Sequence, residues 1–163
     1  MIPLVLIISF ILDSIISNFV PLHSIFMPLF ILMALIIVYP YFNGNKARYY
    51  TTTFLTGLFY DLIYTNTIVI HAFLFLIIAF VITRLNLLLA NNYVNVGIMA
   101  IICIIIYRSI AYGLLLITAN IAFDWHTWFT SIYSSLLLNI LYVIGVFILT
   151  DKISLKFKIH RSN

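Results

Sequence analysis

The chain has 163 residues, of which 65% are hydrophobic and only 7% charged, and its formal net charge is +4. A soluble domain carries roughly 25% charged residues, so this composition excludes a water-clothed surface and predicts an all-α integral membrane protein. There is no Glu or Gln, and the single cysteine, Cys103, excludes an internal disulfide and a cysteine-based metal cluster.

The length allows about six spans of ~20 residues with short loops and no soluble domain. The expected layout is one transmembrane domain over 1–150 and a basic tail over 151–163. The first apolar stretch lacks a basic lead and a small-residue cleavage site and is interrupted by Asp13, so it is expected to be retained as helix 1, over about 3–20. Pro21 and His23 mark a turn, and helix 2 is expected over 25–42, with Pro28 near its start and Pro40 near its end. Asn43-Gly44-Asn45 is a turn signal. Helix 3 follows over 47–64. Tyr64 to Thr67 is a polar break, and helix 4 is expected over 67–83. Residues 84–93 read as a connector with an apolar middle that suits an interface. Helix 5 is expected over 94–118 and helix 6 over 128–150.

Basic residues test this layout. Lys46 and Arg48 fall between helices 2 and 3, Arg84 after helix 4, and Lys152, Lys156, Lys158 and Arg161 after helix 6. Seven of the eight thus share one face, which the positive-inside rule makes cytoplasmic, with both termini inside. Trp125, His126 and Trp128, around Asp124, suit the opposite interface.

The eighth basic residue, Arg108, lies within helix 5, and Asp13, Asp61 and His71 lie within helices 1, 3 and 4. An ionisable group in hydrocarbon costs at least a few kcal/mol, so each marks function or a specific polar core. Counted at about 1.5 Å per residue, all four fall in the outer half of the membrane. Helical spacing adds Ser9 and Ser17 to the Asp13 face, and Thr53, Gly57, Tyr60 and Tyr64 to that of Asp61 or its flanks. Tyr112 shares a face with Arg108, and Ser131, Ser135, Asn139 and Tyr142 form a stripe on helix 6. These patterns predict that helices 1, 3, 5 and 6 surround a polar core or an outward pocket, with Arg108 paired to Asp61, Asp13 or both. Three readings stand: an architectural lock, which is favoured because removing one partner strands a charge; a ligand site; and a proton relay. For His71 a hydrogen-bonded packing role is favoured over ligation. His23, His126 and Asp124 match no zinc spacing. No phosphate loop, metalloprotease motif or cysteine pair is present, and no enzyme activity, metal or cofactor is expected.

The helix 3–4 hairpin, with Gly57, Tyr60 and Asp61 followed by Tyr64-Thr65 and a helix start near Ile68, resembles the rod shape-determining protein MreD family. Leu138-Asn139-Ile140 and the short basic tail also look like that family. Two departures stand out: the family usually has a glycine at the position of Val69, and often an acid near that of Arg108. The resemblance implies a bundle similar to the S components of energy-coupling-factor transporters. It also implies a non-enzymatic part of the bacterial cell-elongation machinery in the cytoplasmic membrane. The implied partners are the bitopic protein MreC and, through it, MreB, RodA and a penicillin-binding protein; no nucleic acid is expected. The alternative is a vitamin-uptake S component, which a small molecule bound between helices 1, 5 and 6 would favour.

Overall fold

A computed structural model describes residues 1–19, 27–65, 69–89, 92–119 and 122–157. The expectations for Pro21, His23, Asn66, Thr67, Ile68, Lys158 and Arg161 lie outside the described residues. Among the described residues six α-helices follow in the expected order: α1 (Ile2–Phe19), α2 (Phe30–Val38), α3 (Lys46–Tyr64), α4 (Ile70–Leu88), α5 (Tyr93–Thr118) and α6 (Trp125–Lys156). A 3₁₀ turn, Tyr39–Phe42, extends α2. Three of the helices, α4, α5 and α6, are long and apolar enough to cross a membrane.

The centre of the bundle is α2. All nine of its residues are buried, as expected of a helix that is apolar all round. It packs against α1, α4, α5 and α6, while α3 lies along α4 and α5 along α6. The outer helices bury one side each and leave apolar side chains such as Leu62, Phe73, Ile117 and Leu141 exposed on the other. The polar side chains expected to face inward from helices 1, 3 and 6, among them Ser9, Asp13, Thr53, Asp61, Ser135 and Asn139, are buried, and the apolar α2 packs against α1, α5 and α6 beside them.

The largest differences from the sequence reading are at three boundaries. Helix 2 begins at Phe30, so its N–H groups open well inside the apolar bundle. Residues 84–88 continue α4, so Arg84 is helical, its guanidinium over the Phe80 ring at 5.0 Å. Residues 151–156 continue α6, because nothing in Asp151–Lys156 breaks a helix. The Asn43-Gly44 turn is found, both residues at positive φ.

Antiparallel pairing of α3 with α4 is pinned by Tyr50 and Thr83, whose hydroxyls lie 2.9 Å apart. Tyr41 donates to the Thr150 carbonyl, fixing the end of α2 beside that of α6. These contacts gather Lys46, Arg48, Arg84, Lys152 and Lys156 at one end of the bundle.

Candidate functional site

Five helix starts are described well enough to ask what satisfies their free N–H groups, which an α-helix cannot satisfy itself. Three are capped locally. Asn45 accepts from Arg48 N, Asn92 from Asn95 N, and Asp124 from His126 N and Thr127 N. These residue types are the preferred N-caps. The other two, α2 and α4, start at Leu29 and Val69, neither of which gives a side-chain cap. Both are capped by a carboxylate from the preceding helix.

On α1, the Asp13 carboxylate accepts from Phe30 N at 3.1 Å and Ile31 N at 3.2 Å. Asn139, from α6, completes this cap. Its Oδ1 accepts from Leu29 N at 2.7 Å, and its Nδ2 donates to the carbonyls of Met27 and Ser135. One turn from Asp13 on the inward face, Ser9 donates to the Val5 carbonyl and meets the Tyr142 hydroxyl at 2.7 Å.

On α3, the Asp61 carboxylate accepts from His71 N, Ala72 N and the Thr65 hydroxyl. His71 Nδ1 donates to it at 2.7 Å. The two ionisable groups that bracket the polar break are thus one unit, and the imidazole also lies against Tyr60, Phe75 and Tyr107. Gly57, one turn earlier on the same face, makes this unit possible. A Cβ there would sit 2.5 Å from Ala72 Cα and 2.8 Å from Ala72 N. Only glycine lets the start of α4 come near enough for Asp61 to reach its N–H groups. Tyr64 closes the hairpin against α1, its hydroxyl donating to the Phe10 carbonyl at 2.7 Å and its ring stacked on Phe10. Val69, preceding α4, has φ +69°, a conformation strained for a β-branched residue.

Asp13 and Asp61 are 3% and 2% exposed. Each carboxylate lies at the positive end of a helix dipole, with N–H groups aimed at it, the arrangement in which a buried carboxylate is best tolerated. Asp124, outside the apolar interior, is held below the usual carboxylate range by the Thr127 hydroxyl and backbone N–H.

Arg108 is not part of either cap. The expected ion pair with Asp61 or Asp13 is absent: among the described residues the Asp61–His71 contact is the ion pair found. Arg108 Nε donates instead to Ser135 Oγ at 2.8 Å. The physical reason is competition, since both carboxylates are taken up by helix starts. Asp13 still lies close enough for its charge to act on Arg108.

The family of rod shape-determining protein MreD matches residues 1–153. The chain belongs to that family. None of the curated proteins or solved structures matches significantly. In this MreD-family chain, the residues that carry the hairpin resemblance have separate tasks in one joint: Gly57 sets the approach, Asp61 caps α4, Tyr60 covers the His71 ring and Tyr64 ties the joint to α1. The glycine usual at the position of Val69 has a reason in the positive φ there. The structure brings Asp61, His71 and Tyr60 together, places Asp13 with Asn139 at α2, and leaves Arg108 beside Ser135. Sequence reasoning missed Leu29, Phe30 and Ile31 as the groups that Asp13 and Asn139 serve. No signal of this stood in the sequence: at the starts expected near Ile25 and Thr67, Ser24 and Asn66 are ordinary capping residues, and the uncapped starts at Phe30 and Ile70 emerge only in the structure.

Proposed function

We propose that this chain is a non-enzymatic, multi-pass component of the bacterial cell-elongation machinery, in the cytoplasmic membrane. It acts there as an assembly partner for an MreC-like bitopic protein and, through it, for MreB, RodA and a penicillin-binding protein. The observation that carries this reading is the family match over residues 1–153, joined to the use made of the intramembrane carboxylates. Asp13 and Asp61 are committed to holding helix ends, which builds a fixed shape. The basic end of the bundle is the cytoplasmic one in this reading, by the positive-inside rule.

An apolar groove of about 470 Å³ between α1 and α3, lined by Leu6, Phe10, Leu55, Phe59 and Ile63 among others, offers a partner's single span a place to lie. The vitamin-uptake alternative needs a chamber between α1, α5 and α6, and α2 packs against all three. The test is a detergent pull-down from the native membrane with identification of retained proteins. Recovery of a bitopic coiled-coil protein, lost on Phe59→Trp with Leu55→Trp, is the expected result. Recovery of ATP-driven transporter subunits instead would overturn the reading.

A further inference from the structure

Arg108 stands apart from the basic residues gathered at one end of the bundle. It is half-buried, about three turns from the end of α5. Among the described residues one of its five N–H donors is used, on Ser135, whose own hydroxyl donates to the Ser131 carbonyl. No carboxylate oxygen lies within 4.0 Å of its guanidinium among the described residues. Asp13 acts on it only at a distance and spends both oxygens on Phe30 N and Ile31 N. A cation held this way at membrane depth, with its fork largely unused, is a costly arrangement.

Beside it lies an opening of about 240 Å³, lined by Met27, Tyr112, Leu115, Thr127 and Ser131 among others. A liquid water occupies about 30 Å³, so the opening has room for a phosphate group and its ester carbons. It extends along α5 towards the end remote from the basic residues, where Phe123, Trp125 and Phe129 are exposed. The nearest acid at that end, Asp124, turns its oxygens onto His126 N, Thr127 N and the Thr127 hydroxyl.

We infer that this opening binds the phosphate of an anionic lipid headgroup, through the free edge of the Arg108 guanidinium. A planar fork of donors matches phosphate oxygens in pairs. Leu115 and Met27 meet the apolar part of the same molecule, which favours a lipid over a free phosphate ion. The site goes beyond the assembly role and rests only on the chain's placement in a membrane.

The test uses the full chain, reconstituted in phosphatidylcholine vesicles with or without phosphatidylglycerol, then extracted and analysed by native mass spectrometry. The parent is expected to retain phosphatidylglycerol against excess phosphatidylcholine. Arg108→Gln should lower that retention by about tenfold, equivalent to about 1.4 kcal/mol. Ala111→Leu, which narrows the opening and keeps the charge, should do the same, and it decides the matter if Arg108→Gln fails to fold. Lys152→Ala with Lys156→Ala, at the other end, should leave the retention unchanged. Equal retention by the parent and Ala111→Leu overturns the inference. Displacement of the lipid by inorganic phosphate alone overturns the lipid assignment. Partner recovery in the pull-down is a separate readout, so failure of one reading is distinguishable from failure of the other.

Discussion

Asp61 carries more of the hairpin than any other single side chain described. Truncating it strands His71 N, Ala72 N and the imidazole Nδ1 in a buried joint. Each stranded donor costs about 1–3 kcal/mol. Asp13 serves two N–H groups, and Asn139 supports the same helix start. Asp61→Ala should therefore lower thermal stability in detergent more than Asp13→Ala, with Asp61→Asn between them. Melting followed by size exclusion checks the order. Val69 gives the opposite prediction. Its left-handed φ costs a residue with a Cβ about 1–2 kcal/mol, and glycine removes that cost. Val69→Gly should raise the melting temperature, whereas Gly57→Ala, which drives a Cβ into Ala72, should lower it.

Elements in this bundle begin in two ways. Helices α3, α5 and α6 start at a loop with their own capping residue, whereas α2 and α4 start against a carboxylate delivered by the helix before. The local caps follow directly from residue type, and Asn45, Asn92 and Asp124 are legible as such. At α6 the cap has a pH signature. Asp124 titrates below its unfolded value, so its contribution is present above about pH 3.9, the unfolded carboxylate value. It is lost as pH falls through the lower folded value. Comparing Asp124→Asn with the parent over that acid window should show the parent losing stability more steeply, and Thr127→Val should shift the Asp124 titration upward in a carboxyl-resolved NMR experiment.

On the scale of the molecule, the polar contacts among the described residues hold different pairs of helices. Asp61 with His71 holds α3 to α4, while Asp13 with Asn139 holds α1 and α6 to the start of α2. Arg108 ties α5 to α6 through Ser135. Groups without shared partners have nearly additive effects, within about 0.3–0.5 kcal/mol. Arg108→Leu and Asp61→Asn should therefore sum in the double variant, measured as melting shifts, with no rescue of either by the other. Rescue would restore a direct pair.

Composition, hydropathy and turn residues determined the helical class, the order of six helices and most of their ends, because each of these depends on neighbours in sequence. The spacing of Gly57 and Asp61 marked the hairpin for the same reason: one helical turn separates them on one face. Which helix takes the centre was decided by tertiary structure. Among these apolar segments α2 differs in having no polar stripe, so it is buried from every side once the others close round it. The partners of Asp13, Asp61 and Arg108 were decided there too. Opposite charges at one depth suggested pairing, but each carboxylate is drawn instead to buried backbone N–H groups that have no local cap, and this demand is invisible until the helix starts are placed in space.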